Sequence, residues 1–458
     1  MDRPARAGGH GGRRLRRGRP GPAQPRRQHL SPPAGPAGPS AHTGRPDPAP
    51  HLGASPRRLT SVPHLQQGKG TMRTDTSSHS WMLSLSDQSK VRLPGTDRAR
   101  DPAASLEMAG HAARRAGVTR VADITMLDTL GIPTFQAIRP TARTLAVSQG
   151  KGVTPDLAKL SAMMEAIELW HAEQPMRPVT TASPRDVAGE LVYDVHALPL
   201  CTPTLLHDGL PVEWVVARSL VDGSRTLVPR DVVEFTLVRR TGWNPPAFFS
   251  STNGLASGNT QAEAVLHALY EVIERDAVTA FVTGGDKGVR IDPRTLGSPV
   301  IDDLCATMER AGVRLDARSL TSPTGLPCFV ARITCDDYPP PFLGFGCHLS
   351  SEIALSRALT EAAQARLGYV SGARDDLRPD IQDDLAAKRR PEPAEEAAGP
   401  ISPAHAHASL VDDLEDVVKR AAVAFSHAPL VVDLTREDAG VPVVRVLAPG
   451  SRVCAEVF

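Results

Sequence analysis

The sequence predicts an α+β (mixed α/β) fold, and three observations carry that expectation. Long runs with apolar residues at helical spacing recur near 154–173, 260–282 and 352–369. Between them lie short apolar and β-branched runs bounded by turn residues, the pattern of strands. The two kinds of segment do not alternate strictly, so an all-parallel βαβ sheet is not expected.

Composition sets the boundaries. Residues 1–71 are rich in Pro, Gly, Arg and Ala and carry 13 Lys/Arg against 2 Asp/Glu. Such a segment buries too little apolar area to offset its ordering entropy, so a disordered basic tail is expected there. It reads as an interaction arm, as a tail of no consequence, or as the product of a start codon placed upstream of Met72, where the composition changes. Its charge of +11, against a net +1 for the 458-residue chain, leaves −10 on the remainder. Nucleic acid is therefore not an expected partner of the body. Residues 72–105 read as a linker and 106–458 as one globular domain. The six cysteines form no C-x-x-C pair, which points to a reducing, cytoplasmic setting rather than to zinc or a disulfide framework. No apolar run approaches the roughly 20 residues needed to span a bilayer, so no membrane partner is expected.

The elements follow in order. Residues 104–118 read as a helix, 121–127 as a short strand, and 133–140 and 143–149 as buried strands. Thr154-Pro155-Asp156 then opens a helix with an N-cap candidate, Pro and an acid in the first turn. Apolar runs at 190–195, 212–220 and 225–233 suggest antiparallel strands or a mixed sheet. Strands are expected at 313–320 and 328–335, and FLGFGCHLS reads as a buried strand in which Cys347 packs. Residues 371–408 look like a polar surface excursion, with His405 and His407 solvated. A helix at 411–423 and strands at 430–434 and 442–449 close the domain.

Three helices share one pattern: A-M-M-E-A-I-E, A-L-Y-E-V-I-E and A-L-T-E-A-A-Q. In each, an Ala stands three residues before a Glu, and an acid or amide follows three residues after it. Ser161, Glu165 and Glu168 fall at i, i+4 and i+7, stacked on one side of the first helix. Glu271 and Glu274 share a face with Glu263 and His267 in the second. Thr260 and Glu263 also form an S/T-x-x-E capping box, a sufficient reason for Glu263. The third helix carries Arg357, Glu361 and Gln364 at the same spacing.

An isolated E-x-x-E pair is ordinarily a solvated face. Here Met163, Met164, Ile167, Leu169 and Trp170 leave little of the first helix for water, and Val265, Leu266, Leu269, Val272 and Ile273 do the same in the second. Four carboxylates on such helices are costly to bury unless cations neutralise them. Mg²⁺ takes carboxylate oxygens and usually shares its shell with phosphates. Lys151, in a GKG turn, and Arg275 are then placed to contact phosphate oxygens. GKGVT lacks the P-loop spacing, and neither a kinase glycine loop nor a ferritin-like E-x-x-H pattern is present.

These residues resemble the YcaO family. S-Q-G-K-G, Ser161-x-x-x-Glu165-x-x-Glu168, Asn259-x-x-x-Glu263, Glu271-x-x-Glu274-Arg275 and A-L-T-Glu361-A-A-Gln364-x-Arg366 follow its signature in order from about residue 110 to the C-terminus. The resemblance implies a YcaO-type ATP-binding fold in which Glu165, Glu168, Glu271 and Glu274 hold Mg²⁺ against the phosphates of ATP. It places Lys151, Ser161, Asn259, Glu263, Arg275, Glu361, Gln364 and Arg366 at nucleotide-contacting or supporting positions. The activity it implies is activation of a peptide backbone amide by O-phosphorylation, after which a nucleophile adds and phosphate leaves. A side-chain nucleophile gives an azoline and sulfide gives a thioamide. The chain ends APGSRVCAEVF without the Pro-rich tail common in azoline formers. Its GIPTFQAIRPTARTLAVSQGKG and VPVVRVLAPG segments resemble the subgroup encoded beside TfuA-type proteins. That subgroup implies thioamide installation on a ribosomally made peptide or protein, a TfuA-like partner, a sulfide donor and, by analogy, a homodimer.

The alternatives are an azoline-forming cyclodehydratase, a peptide-binding scaffold without catalysis, and a carboxylate-bridged metallohydrolase. The intact glutamate set speaks against the scaffold, and the absence of a nearby His cluster against the hydrolase. His171 reads as structural, at the end of its helix, and Cys454 as a remote candidate for sulfur relay.

Overall fold

A Pro-Gly turn at 94–95 folds strands β1 (Val91–Leu93) and β2 (Thr96–Arg98) into an antiparallel hairpin. This computed structural model describes residues 89–238, 245–336, 341–373 and 397–455. The expected tail over 1–71 and the centre of the polar excursion lie outside the described residues. The hairpin lies within the stretch expected as a linker over 72–105. Gly95 adopts φ +67, and a Cβ there would meet the Ser356 hydroxyl at 2.4 Å. Lys90 is buried in ion pairs with Asp413 and Asp97 and donates to the His407 carbonyl at 2.9 Å. Tertiary anchors therefore hold a segment whose own strands are three residues long.

Helix α1 (Pro102–Arg115) follows, capped by Asp101. An antiparallel sheet joins β3 (Arg120–Asp123), β4 (Thr134–Ile138) and β5 (Val147–Lys151). The strand expected over 121–127 stops at Asp123, whose carboxylate takes the Thr125 amide at 2.9 Å and starts a short 3₁₀ turn. Lys151 closes β5 rather than sitting in a turn. Helix α2 (Pro155–Ala172) starts at Thr154, whose hydroxyl accepts from the Leu157 amide. It lies directly on the sheet: a Cβ on Gly150 would fall 2.0 Å from the Ala162 nitrogen.

Strands β6 (Thr180–Ala182), β7 (Val212–Ser219), β8 (Arg225–Pro229) and β9 (Leu255–Ser257) come next. The run at 190–195 forms no strand. It buries Tyr193 and Val195 as an irregular segment, with the Tyr193 hydroxyl donating to the Leu227 carbonyl at 3.1 Å. Helix α3 (Gln261–Val282) begins at Thr260, whose hydroxyl takes the Glu263 amide at 3.2 Å.

A second antiparallel sheet orders β10 (Val289–Ile291), β11 (Arg314–Leu320), β12 (Cys328–Thr334) and β13 (Phe342–Cys347) side by side. Helices α4 (Pro299–Arg310) and α5 (Ser351–Ser371) pack on it through a core containing Met308, Phe329, Ile333, Leu355 and Leu359. Close approach recurs here, since a Cβ on Gly344 would meet the Ala362 nitrogen at 2.2 Å and one on Gly346 the Ala354 carbonyl at 2.0 Å. The Ala of the repeated helix pattern thus has a packing reason in α2 and α5. Small residues let the helix sit against a strand, and the Glu one turn later reaches the edge of that contact.

Helix α6 (Leu410–Phe425) packs against α3, and β14 (Leu430–Asp433) with β15 (Val443–Leu447) completes the sheet order β6-β7-β14-β15-β9, with β8 also on β7. Strands far apart in sequence thereby fix the start of α3, because β9 leads into it.

Candidate active site

Helices α2, α3 and α5 turn their polar faces into one cleft of about 370 Å³, with the hairpin and the ends of β5 and β9 completing its wall. Pockets of this size suit small-molecule ligands. Ser161, Glu165 and Glu168 line it from α2, Glu263, Glu271, Glu274 and Arg275 from α3, Glu361 from α5, Lys151 from β5, and Asn259 from the turn before α3. Side chains separated by up to 210 positions therefore meet.

Each is held by identifiable partners. Glu168 accepts from the Ser257 amide at 2.8 Å and from its hydroxyl at 2.6 Å. Lys151 Nζ lies 2.7 Å from Glu361 Oε2, and Arg275 Nη2 lies 2.8 Å from Glu271 Oε1. The Ser105 hydroxyl donates to Asn259 Oδ1 at 2.7 Å, while Asn259 Nδ2 donates to both Glu263 oxygens at 3.0 and 3.2 Å. Glu263 also takes the Ala99 amide at 2.9 Å, with Arg98 Nε 3.6 Å away. Only half of the expected capping box therefore forms: the Thr260 hydroxyl takes the Glu263 amide, while the Glu263 carboxylate ties the hairpin to α3 through Ala99 instead of capping Thr260.

Gln364 and Arg366 are not brought to the cleft. Arg366 is buried and donates to both oxygens of Asp128, at 2.7 and 3.1 Å, and to the Cys335 sulfur. At 3.6 residues per turn, five positions beyond Glu361 is a rotation of about 140°, which carries Arg366 to the opposite side of α5. Gln364 is one turn further along than Glu361, past the cleft wall, and its buried Oε1 has no hydrogen-bond partner.

The electrostatics single out the inner glutamates. Burial raises the Glu168 carboxyl to about 8, against its bonds to Ser257, with Glu271 and Glu165 adding to the rise. Burial likewise raises Glu274 to about 7, and Glu361 adds to that. Glu271 is raised by burial and held back by Arg275, Arg445 and Arg357. Carboxylates clustered away from water resist ionisation, and a divalent cation reverses that preference.

The donor set fits Mg²⁺. It consists of oxygens only, which suits a hard cation. Among the described residues no three His, Cys, Asp or Glu side chains converge tightly enough to cage an ion by themselves. Mg²⁺ typically binds one or two carboxylates and fills its octahedron with water and phosphate, so such a cage is not required. Lys151, Arg98, Arg275 and Arg357 bring positive charge to the same walls.

Residues 149–452 match the family described as YcaO cyclodehydratase, ATP- and Mg²⁺-binding. The chain belongs to the YcaO family. Of the site residues that the resemblance implied, all but Gln364 and Arg366 line the cleft. An uncharacterized Mycobacterium tuberculosis relative is 40% identical over 342 residues, 73% of this chain and 78% of its own. A Rhizobium leguminosarum bv. trifolii relative, described as an uncharacterized protein in the tfuA 3′ region, is 34% identical over 377 residues, 78% of this chain and 89% of its own. Among solved structures, YcaO from Methanopyrus kandleri bound with AMPPCP and Mg²⁺ superposes with a TM-score of 0.63 at 24% identity, covering 80% of this chain and 95% of that one. A heterocyclase in complex with substrate and cofactor gives 0.68 at 22%, covering 81% of this chain and 56% of that one. At these identities the structural likeness establishes the fold, which is the mixed α/β YcaO fold.

Sequence reading missed Arg98, Thr96, Ser257 and Thr252 as cleft residues and gave Arg357 and His267 no role there. The Pro-Gly dipeptide was the available signal for the hairpin. Nothing local marks Ser257 or Thr252. The remaining expectations resolve simply. His171 Nδ1 lies 2.7 Å from the Ile167 carbonyl in a buried position, and Cys347 is buried across the sheet from Cys328. The Cys454 amide donates to the Thr279 hydroxyl at 3.0 Å, and His405 and His407 are exposed. Among the described residues no helix is long and apolar enough to cross a membrane.

Proposed function

We propose that this YcaO protein is an ATP-dependent enzyme that activates a backbone amide of a ribosomally made peptide or protein and installs a thioamide. The observation that carries the first half is the convergence of Glu165, Glu168, Glu271 and Glu274 on one cleft with Lys151, Arg98, Arg275 and Arg357. In this reading the four glutamates hold Mg²⁺, and the cations meet the phosphate oxygens. Bound Mg-ATP supplies the phosphoryl group that turns an amide oxygen, otherwise a very poor leaving group, into a good one.

The protein's own residues do the rest by position. Ser257 fixes the Glu168 carboxylate through two donated hydrogen bonds. Thr252 receives a hydrogen bond from Arg275 at 3.4 Å, which leaves the guanidinium beside Glu271. Glu263 keeps the hairpin closed against α3, so Arg98 stays on the cleft wall. Preorganised charge of this kind stabilises a transferring phosphoryl group without reorganisation at the moment of reaction.

The thioamide half is supported by the resemblance to the TfuA-associated subgroup and by the Rhizobium relative named for its place beside tfuA. It calls for a sulfide donor and a TfuA-like partner. The second reading is azoline formation, favoured by the family description as cyclodehydratase. Calorimetry with Mg-ATP on the parent and on Glu165→Ala and Glu271→Ala tests the site: binding present in the parent and lost in folded variants supports it. Mass spectrometry of a peptide co-expressed with the protein and its genomic neighbours decides the product. Exchange of oxygen for sulfur supports thioamidation, and loss of water supports the azoline reading.

A further inference from the structure

The cations of the cleft are not equivalent. Lys151 is paired with Glu361 at 2.7 Å, Arg275 with Glu271 at 2.8 Å, and Arg98 lies 3.6 Å from Glu263. Among the described residues Arg357 has no carboxylate ion pair. Its Nη2 donates instead to Nε2 of His267, one helical turn before Glu271 on α3. A guanidinium has donors only, so the imidazole nitrogen accepts and the ring is neutral. Consistently, burial, followed by Arg357, Arg98 and Lys151, holds the ring well below the usual histidine range.

The Ser257 backbone acts on the ring in the opposite sense, favouring its protonated form. Ser257 in turn donates its amide and hydroxyl to Glu168. Arg357 on α5 is thus tied to His267 on α3, and Ser257 on β9 to Glu168 on α2. A carboxylate at position 267 would also accept from Arg357, but it would cancel the charge. A neutral acceptor fixes the guanidinium and leaves its charge intact.

We infer that His267 is a positioning residue for the phosphate-binding part of the cleft: it holds the Arg357 guanidinium, which makes no carboxylate ion pair among the described residues, toward an anionic ligand. The inference rests on the reading of the cleft as a Mg-nucleotide site. Removing a partner of this indirect kind typically costs about 10–100-fold in affinity for the bound group.

The test is calorimetry with Mg-ATP on the full chain for His267→Leu, His267→Gln, Arg357→Ala and the double variant His267→Leu/Arg357→Ala. His267→Leu is expected to weaken binding by about 10–100-fold. His267→Gln, whose amide both accepts and donates, restores most of that loss. The double variant binds no more weakly than Arg357→Ala alone. Additive losses, or a Gln variant as weak as the Leu variant, overturn the inference. Nitrogen-15 spectra of the ring in the protein without nucleotide give a separate readout. A single neutral tautomer with Nε2 unprotonated, lost in Arg357→Ala, is expected, and a protonated ring or the Nε2–H tautomer overturns the assignment. Should the parent fail to bind Mg-ATP, the nucleotide reading falls, and the spectra still decide whether His267 holds Arg357.

Discussion

Lys151 Nζ lies 2.7 Å from Glu361 Oε2, so the last residue of β5 meets the middle of α5 across the cleft. Both side chains are partly exposed, at 24% and 29%, and a pair of that kind contributes only about 0–1 kcal/mol to stability. Its value lies in placement. Lys151→Met is expected to leave the melting temperature nearly unchanged while Mg-ATP affinity falls by about tenfold or more, roughly 1.4 kcal/mol. Calorimetry beside a thermal melt separates the two. A large drop in melting temperature with unchanged affinity would make Lys151 a structural residue.

Arg366 predicts the opposite pattern. Its guanidinium is buried against both oxygens of Asp128, and removing one member of a buried pair costs about 3–5 kcal/mol because the other charge is left behind. Arg366→Met should lower stability strongly in denaturant titration, while the folded fraction binds Mg-ATP within a few-fold of the parent. A stable variant that no longer binds would return Arg366 to the nucleotide site.

The inner glutamates give a pH dependence with a definite sign. With Glu168 at about 8 and Glu274 at about 7, the folded protein without Mg²⁺ holds protons that the unfolded chain, with carboxyls near 4.5, has released. Its stability therefore falls as pH rises through that window. Mg²⁺ binds the ionised form, so metal-dependent nucleotide affinity should climb from about pH 6 to about pH 8 and then level off, with protons released on binding. Calorimetry in buffers of different ionisation enthalpy counts those protons. Affinity that is flat over the range would exclude these carboxyls as ligands.

Gly95 should be intolerant of a side chain. At φ +67, with Ser356 2.4 Å from an added Cβ, a Gly95→Val change strains the hairpin by about 1–3 kcal/mol. Lys90 and its buried partners still anchor the strand. The expected result is a folded protein whose residues 91–98 become protease-sensitive and whose Mg-ATP affinity drops, because Arg98 loses its place. Limited proteolysis with and without Mg-ATP checks this, and unchanged cleavage and affinity would count against a role for the hairpin.

Much of this was readable from one sequence because helical periodicity is local. The caps at Thr154 and Thr260, the bounds of α2, α3 and α5, and the stacking of Ser161, Glu165 and Glu168 all follow from spacing over a few turns. The run at 190–195 misled because an apolar segment buried as loop has the same composition as one buried in a sheet. Arg366 misled because a motif says nothing about which side of a helix packs, and five residues separate opposite sides of α5.

The sequence by itself determined which helices carry carboxylates and that their burial calls for cations beside them. Tertiary structure decided everything that depends on contacts across long separations. Lys151 with Glu361, Glu263 with the Ala99 amide, and His267 with Arg357 are 210, 164 and 90 positions apart. No local preference encodes such pairs. They arise only when sheets built from distant strands set three helices around one cleft, and charge, burial and hydrogen bonding then select among the side chains that arrive there.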